Sequence, residues 1–225
     1  MAEIHGIPGE WARVKGAVLG LWPLGLGILA AGFSLALLLV SGYWWGSLLL
    51  AASVAGIAFS LARGMKRVES FYIGARGEER VSSILKNLPE KYHVFNDFVA
   101  MGTHVDHVVA GPAGVFAIET KFWKGQVTVD ENHILVNGAL PSRPPLKQVV
   151  REAALVRAAL EKAGWSGCVT PVLAFAGDNF TARIAEVQGA VVLNACDLAA
   201  GFATERVVLP PNELERLVAL MESNS

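Results

Sequence analysis

Two carboxylates and a lysine stand at the ends of short apolar segments in the middle of the chain. Asp106 lies in the apolar segment 103–110, and Glu119 and Lys121 follow the apolar residues 115–118. Carboxylate oxygens are the ligands that Mg²⁺ prefers, and the bound ion keeps several water molecules. Such an ion polarises a phosphodiester and activates water, while a lysine adds a compact positive charge. These three residues are therefore candidates for phosphodiester hydrolysis.

The elements that carry these residues are predicted to form a β-hairpin. Residues 103–110 and 115–122 are predicted strands, and Gly111-Pro112-Ala113-Gly114 is a predicted turn between them. Residues two apart on a strand share a face, so Glu119 and Lys121 point the same way and Asp106 points opposite to His107. If the strands pair with their polar ends adjacent, Asp106 and Glu119 converge. Acidic residues at strand ends are also common as solvated side chains, but an unpaired carboxylate within an apolar strand is costly.

The surrounding pattern predicts an α/β domain over residues 73–225. A helix begins at Gly74, a second helix covers about 146–163 after two prolines, and a third begins near Pro211. Further strands are predicted at 92–96, at 126–136 as a small hairpin that turns at Asp130-Glu131-Asn132, and at 169–176 and 190–194. This order predicts a mixed β-sheet flanked by helices. Glu78 in the first helix and Gln148 in the second are polar groups that can reach the same sheet edge.

The front of the chain is predicted to be a transmembrane helical hairpin. No charged residue occurs between Gly16 and Ala62, a run about twice as long as the roughly 20 residues of one spanning helix. The break at Ser41-Gly42 divides the run into helices at 17–40 and 43–62, with tryptophans near the interfaces. The predicted organisation is an N-terminal segment (1–16), the hairpin (17–62), a linker (63–72) and the α/β domain (73–225). Small residues in both helices permit close packing and would also support a homodimer.

The charged flanks predict the orientation of this hairpin. Arg13 and Lys15 precede the first span, and Arg63, Lys66 and Arg67 follow the second, whereas the turn between them is uncharged. By the positive-inside rule both termini and the α/β domain lie in the cytosol, with the hairpin in the inner (cytoplasmic) membrane. A cleaved signal peptide is a poor alternative, and the absence of ionisable residues within the spans disfavours a channel or transporter subunit.

Composition limits the function classes. The net charge is −1, so no global positive field attracts nucleic acid, and a polyanion must be held by local cations or by a metal. Cys168 and Cys196 are far apart and have no metal-ligand spacing, which favours ordinary thiols in a reducing compartment. No glycine loop for a nucleotide is present, since Gly74-x-x-Gly77 follows no strand and no Lys-Ser or Lys-Thr comes after it.

Several motifs taken together resemble one known family. They are Gly74-Ala75-Arg76-Gly77-Glu78, Val105-Asp106-His107-Val108-Val109, Gly111-Pro112 with Gly114-Val115-Phe116, Ile118-Glu119-Thr120-Lys121, Gly125 and Gln148. Over about residues 73–160 this set resembles the NERD (nuclease-related) domain, which is similar to the PD-(D/E)XK restriction-endonuclease-like fold. The resemblance implies a catalytic set of Glu78, Asp106, Glu119, Lys121 and, in the supporting helix, Gln148. Asp106 and Glu119, joined by Glu78, would hold the metal.

The leading hypothesis is therefore a membrane-anchored nuclease that uses Mg²⁺ or Mn²⁺ to hydrolyse nucleic acid, DNA in the first instance, at the cytoplasmic face. Its partners would be nucleic acid and the lipid bilayer, with no organic cofactor. The alternative is a catalytically silent protein of the same fold that holds nucleic acid or a protein partner at the membrane. The weak basic character of the chain motivates this alternative, because nonspecific affinity for a polyanion would then be low.

Overall fold

The computed structural model describes residues 1–42, 44–130, 132–180, 184–204 and 207–223, and at residues 41, 203 and 204 it describes the backbone alone. The described chain forms two units. One consists of Met1–Glu10 with Gly74–Ser225, and the other is Trp11–Ile73. Tyr43, the predicted start of the second span, and Glu131, in the predicted turn 130–132, lie outside the described residues.

The larger unit is built on a seven-stranded mixed sheet, as the α/β prediction requires. The sheet order is β1-β2-β3-β4-β7-β9-β8, and β5 and β6 form a separate two-stranded sheet. Strands β2, β3 and β4 pair antiparallel, whereas β1 pairs parallel with β2, and β4 and β9 pair parallel with β7. The strands are β1 (Glu3–His5), β2 (His93–Ala100), β3 (Thr103–Gly111), β4 (Gly114–Lys121), β5 (Val127–Asp130), β6 (His133–Val136), β7 (Val169–Phe175), β8 (Ala185–Val187) and β9 (Ala190–Asn194).

Helices cover both faces of this sheet. The helices are α1 (Glu10–Ser41), α2 (Trp45–Leu85), α3 (Pro145–Lys162), α4 (Leu198–Thr204) and α5 (Pro211–Glu222), with a one-turn 3₁₀ helix at Ala195–Asp197. The last turns of α2 and the helix α4 share one apolar cluster with the sheet, and α3 and α5 share another. The apolar residues of α3 recur at helical spacing, and Pro145 begins the helix at a position where a missing N–H does no harm. The result is three layers, with the sheet in the middle.

The first strand comes from residues that precede the apolar segment. Glu3, Ile4 and His5 pair in parallel with His93, Val94 and Phe95. The amide of Asn96 reinforces this pairing, since it donates hydrogen bonds to the carbonyl oxygens of His5 at 3.2 Å and Gly6 at 3.3 Å. The residues before and after the apolar segment therefore belong to one folded unit.

The smaller unit consists of two long apolar helices that pack through glycines. Both helices are long and apolar enough to cross a membrane. Large apolar side chains on them are exposed, Leu39 and Phe59 among them, unlike those of a core helix. A Cβ on Gly64 would meet the Gly20 carbonyl oxygen at 2.3 Å, so the two backbones are in contact there. Residues 63–72, predicted as a linker, are helical and continue α2.

The regular alternation of β2 is interrupted where the polar residues gather. Asp97 has a φ of 52°, and the rings of Phe95 and Phe98, three residues apart, have centroids 6.1 Å apart. A local irregularity of this kind bends a strand and changes the direction of its side chains. The side chains of β2 therefore do not alternate regularly between Phe95 and Phe98.

Two glycines of one motif in α2 provide a matched test of how this helix positions the sheet edge. A Cβ at Gly77 would lie 2.8 Å from the Cβ of Phe122, whereas a Cβ at Gly74 would meet nothing within 4 Å. We expect Gly77→Ala to push the helix away from the end of β4 and to lower the free energy of unfolding by about 1–3 kcal/mol. Gly74→Ala should be neutral or stabilising by up to about 1 kcal/mol. Denaturant unfolding of both variants checks this, and equal effects would contradict it.

Candidate active site

Asp106 lies where β3 and β4 stop pairing. The last paired residues on this side are His107 and Ile118, so Asp106 and Glu119 follow directly beyond the ladder. There the carboxylate of Asp106 replaces a main-chain acceptor: its Oδ2 accepts a hydrogen bond of 2.7 Å from the Thr120 amide. This bond fixes the side chain between the two strands and leaves its other oxygen for a ligand.

Glu119 and Lys121 share one face of β4, as the two-residue spacing predicts. The ammonium of Lys121 donates to Oε1 of Glu119 in an ion pair. The side chain of Glu119 is only 5% exposed and that of Lys121 is 18% exposed, so the pair is shielded from water. A buried ion pair of this kind is strongly coupled, because removal of one charge leaves the other uncompensated.

Helix α3 contributes two further groups to the same cluster. Gln148 Oε1 accepts a hydrogen bond of 3.1 Å from the Lys121 ammonium, and Gln148 Nε2 donates one of 2.9 Å to Oε1 of Glu152. Glu152 also lies against Glu119, to which its carboxyl can donate a hydrogen bond when it is protonated. Gln148 therefore contacts Lys121, and Glu152 is an additional member of the cluster.

Glu152 is the residue that the sequence analysis missed. It is only 5% exposed, although it lies in a helix with many charged residues. The available signal was its position: Glu152 falls three residues after Val149 and four before Val156, on the stripe that faces the sheet. A carboxylate on a core-facing stripe is rarely buried without a partner.

Glu78 reaches the cluster from α2. Its side chain is nearly buried, and it interacts electrostatically with Glu119 and Lys121. Asp97, beside the irregularity in β2, adds a further negative charge that acts on Glu78. The structure therefore brings together all five residues named from the sequence, Glu78, Asp106, Glu119, Lys121 and Gln148, together with Glu152.

The cluster contains more negative than positive charge, and its pKa values reflect this. Burial raises the pKa of Asp106 well above its ordinary value, and the charges of Glu119 and Glu78 raise it further. Burial, then Asp97 and Glu119, raise the pKa of Glu78 to about 7.

The same imbalance acts on the groups that contact Glu119. Burial, and then the charge and hydrogen bond of Glu119, raise the pKa of Glu152 to about 8. Burial alone would lower the pKa of Lys121, but Glu119, Asp106 and Glu152 outweigh it and leave this pKa above its ordinary value. Lys121 is therefore a cation near neutral pH, which suits charge stabilisation better than proton abstraction.

The donor set fits a hydrated, oxygen-preferring cation. Among the described residues, no three carboxylates of this cluster bring ligand atoms within 4.8 Å of one another. Mg²⁺ does not need three of them, because it is commonly bound through one or two carboxylates and retains its waters. Asp106 and Glu119, which follow directly beyond the β3–β4 ladder, would supply that pair. A divalent cation would also neutralise the carboxylates whose pKa values their mutual repulsion raises.

A positively charged cleft opens beside Lys121. It has a volume of about 630 Å³, and Lys121, Lys124 and Arg143 line it together with Trp123 and Gln148. Trp123 is held in place by Phe175, with ring centroids 5.7 Å apart. Cations next to an aromatic side chain are the groups that hold the phosphates and bases of a nucleic acid strand.

His107 lies outside this cluster. It is fully buried, and its Nδ1 is 2.8 Å from Oδ1 of Asn96. Burial lowers its pKa to about 3, so the ring is neutral. Its role is packing between β2 and β3, as its direction on the strand predicted.

Residues 73–176 match the family model of the nuclease-related domain, NERD. No curated protein and no solved structure gives a significant match to the chain. The family match covers every residue of the cluster described above.

The raised pKa of Glu152 predicts how stability depends on pH. In the folded protein the pKa of Glu152 is raised from its ordinary value of 4.5 to about 8. The folded state thus binds this proton more tightly than the unfolded state does. The resulting stabilisation of the folded state is fully present below about pH 4.5 and is lost as the pH rises through about 8. In metal-free protein we expect the free energy of unfolding to fall over this window on the order of a few kcal/mol, and Glu152→Gln to remove much of the fall.

Pulse proteolysis in denaturant between about pH 5 and 8 measures this dependence for the larger unit. Glu161→Gln is the matched control, because Glu161 lies on the same helix but is exposed and paired with Arg157. Identical pH slopes for the wild type and Glu152→Gln would show that the proton on Glu152 does not contribute.

Proposed function

We propose that this chain, whose residues 73–176 match the family model of the nuclease-related domain, is a membrane-anchored nuclease that hydrolyses phosphodiester bonds of nucleic acid, DNA in the first instance, with Mg²⁺ or Mn²⁺. The observation that carries this proposal is the buried Asp106–Glu119–Lys121 constellation at the end of the β3–β4 ladder. It joins paired carboxylates to a cation beside an open, positively charged cleft.

The roles of the residues follow from their positions. Asp106 and Glu119 would hold the divalent cation, with Glu78 as a further ligand or as the group that orients water. The cation would polarise the scissile phosphate and lower the pKa of the attacking water. Lys121 would stabilise the charge that develops on the phosphate, and Gln148 would hold the Lys121 ammonium in place.

Glu78 and Glu152 suit proton handling. Burial, Asp97 and Glu119 hold the pKa of Glu78 at about 7 in the metal-free protein, so Glu78 can exchange a proton near neutral pH when it orients water and does not ligate the cation. Glu152 would keep its proton and donate a hydrogen bond to Glu119, which limits the repulsion between these two carboxyl groups. This division resembles other sites in which neighbouring carboxyls differ in protonation because their environments differ.

The cleft favours a single strand or a strand end as the bound form of DNA. Lys124 and Arg143 would contact phosphate oxygens, and Trp123 would stack against a base. Because the net charge of the chain is −1, binding should depend on these local cations and fall steeply with added salt.

The two apolar helices would anchor this domain in the bilayer as a two-pass hairpin. Strand β1, before α1, pairs with β2, after α2, and this pairing supports a hairpin whose two ends would lie on the same side of a membrane. The basic residues that flank the helices then favour an orientation in the inner membrane with both termini and the larger unit on the cytosolic side. A second copy of the chain could pack against the glycine positions that face open space. A Cβ added at Gly25, Gly32 or Gly56 would meet no atom of the described residues within 4 Å.

Loss of the metal ligands should abolish cleavage but not folding. We expect Asp106→Asn and Glu119→Gln to lower the cleavage rate of DNA with Mg²⁺ or Mn²⁺ at least about 100-fold, because each removes charge that acts on the transition state. Asp130→Asn is the control, since Asp130 is an exposed carboxylate at the end of β5.

The assay follows a labelled single strand and a labelled duplex, with binding measured separately by fluorescence anisotropy. If the wild type binds DNA but cuts neither substrate with either metal, the scaffold alternative is correct. If the Asp106 and Glu119 variants cleave as fast as the wild type, the proposed site is wrong.

The native cysteines test the orientation. Cys168 and Cys196 are exposed in the larger unit. We expect a membrane-impermeant maleimide to label them in sealed inverted vesicles and not in right-side-out vesicles. Trp44→Cys, in the turn between the helices of a Cys168→Ser/Cys196→Ser protein, should show the opposite pattern. Labelling of both sites from one side would contradict a two-pass hairpin.

A further inference from the structure

A second group of potential metal ligands lies at the edge of the sheet, away from the catalytic cluster. Glu3 and His5 come from β1, and His93 comes from β2. The parallel register places Glu3 beside His93 and His5 beside Phe95, so these side chains share one face of the sheet. One ligand atom from each of Glu3, His5 and His93 lies within 4.8 Å of the other two.

The distances in this group differ from those of ordinary hydrogen bonds. Nδ1 of His93 is 3.4 Å from Oε2 of Glu3, beyond the usual range of about 2.7–3.2 Å. Ligand atoms of a tetrahedral zinc ion, with bonds of about 2.0–2.1 Å, are about 3.3 Å apart. The spacing of this pair therefore corresponds to two ligands of one ion.

Two ring nitrogens in the group are buried without a partner. Among the described residues, neither Nε2 of His5 nor Nδ1 of His93 has a hydrogen-bond partner. A buried polar atom of this kind normally finds one. The ring of His5 is held in position by Phe95, with centroids 4.3 Å apart and planes at 9°, so its unpartnered nitrogen has a defined direction.

The other nitrogen of His5 faces a carboxylate. Its Nδ1 is 3.7 Å from Oε1 of Glu222, the last residue of α5. A histidine that ligates zinc commonly donates its second N–H to a carboxylate, which orients the ring. At 3.7 Å Glu222 makes no hydrogen bond to His5, but it lies on the side of the ring from which it would orient a metal-bound imidazole.

We propose that Glu3, His5 and His93 bind a zinc ion, with His5 coordinating through Nε2 and His93 through Nδ1. Glu222 is the residue that orients His5. Two imidazoles and one carboxylate match the ligand preferences of Zn²⁺ and not those of Mg²⁺. A water molecule completes the tetrahedron on the exposed side, where Glu3 is 61% exposed.

Such an ion would connect three segments that are distant along the chain. It would join His5 to His93, which the two apolar helices separate along the sequence. Through Glu222 it would also tie the end of α5 to the same edge of the sheet. A three-residue strand makes few hydrogen bonds by itself, so zinc binding would contribute to the stability of β1. This inference does not depend on nuclease activity.

Zinc binding to the full, tag-free chain in detergent micelles tests the proposal. The protein carries Glu119→Gln, so that the catalytic cluster does not contribute a strong second site, and is stripped with a chelator before equilibrium dialysis against Zn²⁺. We expect one equivalent of zinc. Glu3→Gln and His93→Gln should each lose it, and Glu222→Gln should lower the affinity about 10–100-fold. His133→Gln, an exposed histidine of β6, is the matched control.

Co²⁺ absorption gives a second readout, since tetrahedral Co²⁺ has intense visible bands that the ligand variants should lose. Glu3→Gln guards against misfolding, because Glu3 is largely exposed and its amide analogue is nearly isosteric. If the parent binds no zinc, or if Glu3→Gln and His93→Gln bind it as tightly as the parent, the group is only a cluster of ion pairs and the proposal is wrong.

Discussion

The larger unit depends on holding several carboxyl groups close together with little water around them. An isolated buried carboxylate costs several kcal/mol, so the fold must offset the charge of each one. The Thr120 amide binds Asp106, the ammonium of Lys121 binds Glu119, and raised pKa values leave Glu78 and Glu152 partly or largely protonated. Even with these interactions the negative charge of the cluster exceeds its positive charge, and a divalent cation would provide the missing positive charge. The repulsion between these carboxyl groups destabilises the metal-free fold, and the same groups would attract a metal ion.

The architecture explains why these groups meet at one place. Antiparallel pairing ends at His107 and Ile118, and the strands separate beyond that point. Helix α3 then crosses behind β4 and presents Gln148 and Glu152, while the last turns of α2 present Glu78. Rigid strands and helices hold such side chains in a more defined arrangement than loops can.

Much of the fold could be predicted because the signals are local. The hairpin of β3 and β4, the helix after the two prolines and the two apolar helices each follow from periodicity or composition within one segment. Strand β1 could not be predicted, since three residues are too few to show a period and its partner lies about 90 residues away. The irregularity at Asp97 was equally hidden, because no glycine or proline marks it.

The sequence by itself determined which residues of β4 act together, because a two-residue spacing places Glu119 and Lys121 on one face wherever the strand goes. It also determined the oxygen-rich character of the carboxyl cluster and the apolar character of the hairpin. Only the tertiary structure decided that Glu152 belongs to that cluster and that His5 meets His93. In the sequence Glu152 lies on the apolar stripe of its helix, but which groups its carboxyl meets depends on what packs above that stripe. Contacts between distant segments have no local signature, since they arise from the packing of the whole unit.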